Sequence, residues 1–171
     1  PAILDEVMGG VYFPESATCD PHRFVTELAD RIIGYGGTIL VNQDVIEVLS
    51  NRNRVKGVRL ANGEVLRANT VVLATGAYSH KLTQKFGLSL PIQAGKGYHR
   101  DLATGEKEKK PFNIPCLLGE SHVFCTPLDK FTRLAGTLEF SGVNHKIKRE
   151  RLEQLNKDAN QYLEGAGDGT P

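Results

Sequence analysis

The chain has 171 residues and a formal net charge of +1, with 21 lysines and arginines against 20 aspartates and glutamates. Its length allows one substantial core or parts of two domains. The charge balance disfavours nucleic-acid binding, which needs a strongly basic surface. No run reaches the roughly 20 apolar residues of a membrane-spanning helix, and the first residues lack the pattern of a signal peptide. We therefore expect a cytoplasmic protein that binds no nucleic acid.

The three cysteines, Cys19, Cys116 and Cys125, are scattered, without the paired short spacings that thiolate metal sites use. The histidines also lack metal-ligand spacing. We expect no metal site and reduced thiols. Cys125 lies in an apolar stretch and is expected in the core, because no activating base for a nucleophilic thiol is identifiable by spacing.

The first strong element begins at Asp20 and Pro21, where the aspartate can cap free backbone N–H groups and the proline suits the first helical turn. Apolar residues then recur at helical spacing and form one stripe: Phe24, Val25, Leu28, Ala29, Ile32 and Ile33. Gly34, Gly36 and Gly37 end the helix. This pattern predicts a helix over residues 20–34 that covers a sheet.

Short runs rich in branched apolar residues follow and predict a meander of strands; they occupy positions 38–41, 45–49, 55–60 and 65–68. Asn62 and Gly63 give a strong hairpin signal between two of these runs, because both residues tolerate positive φ. The next apolar run, 71–75, ends at small residues and predicts a buried strand followed by a tight turn. Such turns let backbone N–H groups approach a phosphate or a ring, although many buried strands end this way without binding a nucleotide.

A second region begins beyond Pro91, with short runs that predict an antiparallel sheet at 98–102, 112–118, 122–126 and 132–138. The segment 145–163 is helical in pattern, and its candidate buried positions are Ile147, Leu152, Leu155 and Tyr162. Residues 103–110 form a mixed-charge stretch, predicted to be a solvated hairpin, with contact to an anionic membrane surface as the alternative. The tail 165–171 is rich in helix breakers.

The fold class is therefore expected between α/β and α+β. A partial Rossmann-like domain with a β-meander occupies 1–91, and an antiparallel-sheet domain with a helix occupies 92–171.

Four stretches, in this order and separation, resemble the FAD-dependent amino-acid oxidoreductases related to D-amino acid oxidase, and within them the D-amino acid dehydrogenase small subunits. They are 10–14 followed by Asp20 and Pro21, then 71–79, then 90–98, then 133–142. The resemblance implies an FAD-binding domain at 1–91 and a substrate-binding domain at 92–171. It also implies oxidation of an amino acid by hydride transfer from Cα to the flavin, followed by hydrolysis to a 2-oxo acid and ammonia. The flavin carries that chemistry, so no acid–base residue is required of the chain.

Carried over by position, the resemblance implies that the backbone of Val45 meets the adenine end of FAD and that Ala74, Thr75 and Gly76 run beside the ADP portion. Tyr78 stands where the family usually has Trp, so its detailed contact departs from the pattern. The alternative for Val45 is an ordinary sheet residue.

Lys96, Gly97 and Tyr98 resemble the segment that crosses toward the flavin ring, and Tyr98 is the candidate for the substrate side, with a plain sheet role as the alternative. His99 and Arg100 follow, and at most one of them can face a cavity because adjacent strand residues point to opposite faces. A surface position is the commoner case for such an arginine, and Arg133 has the same ambiguity. The catalytic residues themselves are not identified.

Family members carry a G-x-G-x-x-G region before these stretches and a closing segment after them, and neither occurs here. We expect the central part of a longer protein, inactive and weak in FAD binding by itself. The expected partners are an amino-acid substrate and an electron acceptor such as a quinone, with peripheral contact to the inner face of the membrane and self-association as further expectations. The alternatives are a non-catalytic binding module of the same architecture and a glycine or sarcosine oxidase.

Overall fold

The computed structural model describes residues 3–52, 54–103 and 113–163. The described residues divide into two units, one from Pro1–Phe24 together with Gly95–Pro171 and the other from Val25–Ala94. The helices are α1 (Pro21–Gly34), α2 (Ser79–Thr83) and α3 (Arg149–Ala159). The strands are β1 (Val45–Asn51), β2 (Arg54–Leu60), β3 (Val65–Arg67), β4 (Lys96–Ala103), β5 (Cys116–Leu118), β6 (Val123–Pro127) and β7 (Phe131–Glu139).

Helix α1 has the predicted bounds. Asp20 caps it, because its Oδ1 accepts hydrogen bonds from the backbone N–H groups of His22 at 2.9 Å and Arg23 at 3.1 Å. Gly36, at φ +84°, turns the chain beyond the last helical residue. The bounds of α1 could be predicted because the cap and the glycine turn each depend on a few consecutive residues.

The first sheet has the order β1-β2-β3 and is antiparallel throughout. The Asn62 and Gly63 hairpin is confirmed: Gly63 has φ +89°, and Asn62 Oδ1 accepts a hydrogen bond from the Glu64 N–H at 2.9 Å. Leu60 is buried at the end of β2. The predicted meander therefore exists from β1 onward.

The strands predicted at 38–41 and 71–75 are wrong for the described chain, where neither segment belongs to a helix or strand. The apolar stripe of α1 is also exposed rather than covering a sheet, as Phe24, Leu28 and Ile33 show. A strand needs a neighbour to receive its hydrogen bonds, and no strand of the described residues pairs with these two segments. Apolar pattern alone cannot supply that partner.

The second sheet has the order β4-β7-β6-β5 and is antiparallel, as predicted. Helix α3 packs on one face, and a cluster of buried residues joins them: Leu118, Val123, Cys125, Leu134, Leu155, Ala159 and Leu163. Ile147, predicted as buried, is 75% exposed because α3 begins only at Arg149. The start of the run at Phe112, the mixed-charge stretch from Thr104 to Lys110 and the tail 165–171 lie outside the described residues.

Helix α3 covers one face of this sheet, and we call the opposite face the open face. The covered face, which meets α3, carries Lys96, Tyr98 and Arg100 from β4. The open face carries the alternate residues, and Leu117, Phe124 and Leu138 are each more than half exposed there. A bulge between Gly97 and Tyr98 leaves Thr137 at φ +50° and keeps Glu139 on the covered face opposite Lys96.

Arg100 is buried, so the commoner surface position is wrong for it. Its side chain lies opposite Leu134 on the covered face and is 8% exposed. Nε and Nη2 have no hydrogen-bond partner in the described part of the chain. Two buried guanidinium nitrogens unpaired among the described residues cost free energy of folding.

We predict that Arg100→Met leaves the free energy of unfolding unchanged or raises it by about 1–2 kcal/mol, because the variant removes a buried charge, two of whose nitrogens are unpaired among the described residues, and keeps most of the volume. Urea unfolding of both proteins measures the difference. A loss of stability above about 1 kcal/mol would show that the guanidinium has a partner that stabilises it.

We predict that Gly57→Ala in β2 lowers the free energy of unfolding by about 3 kcal/mol or more. Gly57 has φ +139°, and an added Cβ would stand 2.0 Å from the Leu66 carbonyl oxygen and 2.9 Å from the Arg67 Cα. The matched control is Gly34→Ala, where nothing lies within 4 Å of the added Cβ. Equal stability of the two variants would contradict the geometry of the first sheet.

Candidate functional site

The first group of candidate residues lies in the loop that leads into α2. Ala74 and Thr75 are exposed and lie outside any helix or strand, and Gly76 begins a 3-10 turn, Gly76–Tyr78, at φ +51°. Thr75 Oγ1 and Ser79 Oγ lie 2.9 Å apart and hold the two ends of this turn together. No heavy atom lies within 4 Å of where a Cβ of Gly76 would stand. The backbone here is open to close approach by a ligand.

Val45 begins β1 in the same unit and is exposed, and about half of the Tyr78 side chain is exposed. The helical segment after Gly76 is linked to β1 through Glu47, whose carboxylate lies 3.1 Å from Arg59 Nε and 3.6 Å from Lys85 Nζ. The Arg59 hydrogen bond and the charge of Lys85 lower the pKa of Glu47. The Lys85 contact joins β1 to the Gln84–Phe86 turn, and the Gly76 backbone stays open.

The second group lies on β4. The Lys96 ammonium donates hydrogen bonds to Asn144 Oδ1 at 2.8 Å and to the Lys146 carbonyl at 2.6 Å, and it lies 5.7 Å from the centre of the Tyr98 ring. Its donors are thus used within the covered face. Gly97 lies on the open face, and nothing stands within 4 Å of where its Cβ would be.

The Tyr98 side chain is buried, at 6% exposure, and its hydroxyl donates a hydrogen bond of 2.6 Å to Glu139 Oε2. The same hydroxyl oxygen accepts the Lys148 backbone N–H at 3.3 Å, just before α3. The tyrosine therefore joins β4, β7 and the start of α3. Its side chain points away from the open face, so any contact with a ligand there would come from its backbone.

Glu139 is the centre of a polar cluster that sequence reasoning missed. Its carboxylate is 5% exposed, accepts hydrogen bonds from Tyr98 and from the Ser141 hydroxyl, and lies 3.3 Å from Lys148 Nζ and 3.6 Å from Lys96 Nζ. The Ser141 and Tyr98 hydrogen bonds, with Lys148, lower the pKa of Glu139 to about 2. The one available signal was a lone carboxylate within an apolar strand, which does not reveal its distant partners.

The open face carries rows of residues that the register places side by side. One row runs His99, Ala135, Phe124 and Leu117 across the four strands. The next row contains Asp101 and Arg133, joined by two hydrogen bonds of 2.8 and 2.9 Å. Arg133 lowers the pKa of Asp101 and also lies 5.3 Å from the centre of the Phe131 ring. Ala135, the smallest residue of the first row, stands between His99 and Phe124.

No group of three or more histidine, cysteine, aspartate or glutamate residues is arranged to hold a metal within 3–52, 54–103 and 113–163. Among the candidate cofactor residues, the two glycines have open backbone, Gly76 in one unit and Gly97 in the other.

We predict that Glu139→Gln reduces the loss of stability at acid pH. Because the folded-state pKa of Glu139 is about 2 against an ordinary 4.5, its ionised form stabilises the fold above pH 4.5, and this contribution is lost as the pH falls toward 2. The variant lacks this titration, so its unfolding midpoint in urea should change less with pH over that range. Glu153→Gln, at an exposed pair with Arg149, is the control and should follow the unmodified protein. Identical pH dependence in all three proteins would contradict the role of Glu139.

Comparison with known proteins places this architecture in a family. The sequence profile described as FAD dependent oxidoreductase matches residues 1–170. The D-amino acid dehydrogenase of Methylobacterium sp. (strain 4-46) is 30% identical over 167 residues, which are 97% of this chain and 39% of that protein. The D-amino acid dehydrogenase of Vibrio vulnificus (strain CMCP6) is 29% identical over 168 residues, which are 98% of this chain and 40% of that protein. The chain thus spans about two fifths of these relatives.

Solved structures show the same fold. The L-proline dehydrogenase from P. horikoshii has a TM-score of 0.72 at 19% identity, over 84% of this chain and 39% of that one. The glycine oxidase from Bacillus cereus ATCC 14579 has a TM-score of 0.65 at 18% identity, over 81% of this chain and 37% of that one. With the sequence match along nearly the whole length, the conclusion is that this chain belongs to the DAO family of FAD-dependent oxidoreductases.

Proposed function

We propose that the protein containing this chain oxidises D-amino acids to 2-oxo acids with FAD and passes the electrons to an acceptor such as a quinone. The observation that carries the proposal is the similarity to D-amino acid dehydrogenases over 97–98% of the chain. In this proposal, residues 1–91 belong to the FAD-binding domain and 92–171 to the substrate-binding domain.

Open backbone at Gly76 supports FAD binding at the positions that the resemblance implies. Gly76 combines φ +51° with open space, so its backbone can approach a ligand where any larger residue would intrude. In the proposal, Val45, Ala74, Thr75 and Gly76 hold the adenine and ADP portion by backbone contacts. Tyr78, half exposed beside them, packs against the same portion.

The open face of the second sheet is the proposed wall of the substrate cavity. Gly97 leaves room for the flavin ring, and its neighbours Lys96 and Tyr98 act as positioning residues, since their polar atoms are bound to the Glu139 cluster. Beside them, the row of His99, Ala135 and Phe124 offers a polar ring, a small residue and an exposed apolar surface. Arg133 is already paired with Asp101, so His99 is the better candidate to bind the substrate carboxylate.

When bound, FAD supplies the acceptor for the hydride that leaves the substrate Cα. The chain's own task is to hold Cα against that acceptor, bind the carboxylate and keep water away during the transfer. The apolar side chains of Leu117, Phe124 and Leu138 suit the last role, because they are exposed in this unit and cost little to dehydrate. No acid or base from the chain is needed for this step.

Location and partners follow from the proposed activity. Among the described residues, no helix is both long and apolar enough to cross a membrane. We propose a cytoplasmic enzyme with peripheral contact to the inner face of the membrane, where a quinone acceptor would be met. Self-association through the exposed apolar stripe of α1 is part of the same proposal.

A second candidate is an oxidase or dehydrogenase of glycine or a cyclic secondary amine. The fold similarity to glycine oxidase and L-proline dehydrogenase favours it, at TM-scores of 0.65 and 0.72. The difference between the candidates lies in the shape of the cavity beside the row of His99, Ala135 and Phe124 and in the electron acceptor.

The whole protein, purified with its flavin, tests the proposal by anaerobic reduction. We expect D-alanine and other D-amino acids to bleach the absorbance of oxidised FAD, while the L-enantiomers do not. A quinone or dye should restore the absorbance faster than oxygen does. Reduction by glycine or L-proline, but not by D-amino acids, would support the second candidate. Flavin retention without reduction by any of them would favour a binding module.

We predict that Phe124→Ala lowers kcat/KM for the D-amino acid about tenfold, because the variant removes part of the apolar wall, while the flavin content stays unchanged. Ile147→Ala is the control: it deletes a similarly exposed apolar side chain next to α3, away from the open face. Equal kcat/KM in both variants would exclude the open face as the substrate wall.

A further inference from the structure

We propose that Cys116 and Cys125 are a redox modification site, at which the two thiols are converted reversibly to a disulfide. The structure brings them together although they are nine positions apart in sequence: they are direct partners in the register of β5 and β6. Both are free thiols, and both belong to the packed layer between the second sheet and α3. The inference does not depend on the proposed function.

The geometry of the pair suits a disulfide. Residues directly opposite in an antiparallel ladder have Cα atoms about 4.5–5.5 Å apart and side chains on the same face. A disulfide needs Cα atoms about 4.4–6.8 Å apart, so the bond requires little movement of the backbone. Both side chains lie on the covered face, because Cys116 is the register partner of Cys125. Cys19, which is exposed, has no such opposite thiol among the described residues.

The two thiols differ in access. Cys116 is half-buried on the edge strand β5, whereas Cys125 is fully buried on β6. The neighbouring Cys125 thiol lowers the pKa of the Cys116 thiol, whereas the neighbouring Cys116 thiol together with burial raises the pKa of Cys125. Cys116 is therefore the thiol that an oxidant reaches first, and Cys125 is the resolving thiol.

The step balances with hydrogen peroxide as the oxidant. The Cys116 thiolate attacks one peroxide oxygen, the O–O bond breaks, and the leaving hydroxide takes a proton to give water and a sulfenic acid at Cys116. The Cys125 sulfur then attacks the Cys116 sulfur, the S–O bond breaks, and a second water leaves with the Cys125 proton. The two thiols lose two electrons and two protons in total, and the peroxide is reduced to two waters. A small dithiol reverses the change by exchange.

The disulfide would tie the outermost strand of the second sheet to its neighbour. Leu117 and Phe124, adjacent to the two cysteines, are paired on the open face, so the bond would also restrain the exposed apolar end of that face. A cross-link in an edge hairpin restricts its local opening.

Peptide mapping of the whole folded protein tests the site. The protein is treated with hydrogen peroxide, remaining thiols are alkylated in denaturant, and the chain is cut with trypsin and then after Glu120, which lies between the two cysteines. We expect the two fragments to stay joined, about 2 Da lighter than their sum, until a dithiol separates them. Oxidation of Cys19 shows that the peroxide has acted. If both Cys116 and Cys125 are still alkylated in such protein, the proposal is overturned. A Cys116–Cys125 disulfide that forms only after unfolding would also overturn it.

Two variants test which thiol reacts first. Both also carry Cys19→Ser, which removes the exposed thiol. In Cys125→Ala, we expect Cys116 to accumulate as a sulfenic acid that dimedone traps, because the resolving thiol is gone. In Cys116→Ala, we expect Cys125 to remain a thiol under the same treatment, since it is buried. Oxidation of Cys125 at an undiminished rate in Cys116→Ala would contradict the assignment. The mapping of the unmodified protein stands by itself if either variant fails to fold.

Discussion

The second sheet depends on the satisfaction of one buried carboxylate. Glu139 at the end of β7 is held by Tyr98 of β4, by Ser141, and by Lys148 immediately before α3, with Lys96 close by. A carboxylate with little contact to solvent is destabilising without its partners, so the strands and the start of α3 must keep their relative positions. That arrangement fixes which face α3 covers. It thereby fixes which residues of β4 and β7 remain on the open face.

The division of β4 follows from this cluster and from the bulge beside Gly97. Tyr98 was predicted for the substrate side, and that role stays a prediction, but its hydroxyl is used within the covered face. The alternate residues Gly97 and His99 face the other way, next to Ala135 and Leu138. The same strand can thus provide structural anchoring on one face and an accessible surface on the other. This separation is why the open face is the proposed substrate wall.

Features that depend on a few neighbouring residues were predicted correctly from the sequence. Contacts between residues distant in the chain were not. The cap at Asp20 and the turn at Asn62 and Gly63 each depend on a few consecutive residues, and both are confirmed. The segments 38–41 and 71–75 have strand composition, but strands also need neighbours, and none pairs with them among the described residues. Burial of Arg100 and the pairing of Cys116 with Cys125 depend on register, which composition does not reveal.

For the candidate site, too, some features could be predicted from the sequence and others could not. The family and its FAD could be inferred from four separated stretches because their order and spacing are carried by the sequence itself, and the match over residues 1–170 confirms the family. The open backbone at Gly76 and Gly97 and the row of His99, Ala135 and Phe124 required coordinates.

The most direct test is a crystal structure of the whole protein with FAD and an unreactive carboxylate analogue of the substrate. The account predicts the analogue on the open face, with its carboxylate near His99. An analogue bound elsewhere, with the open face covered by another part of the protein, would contradict it.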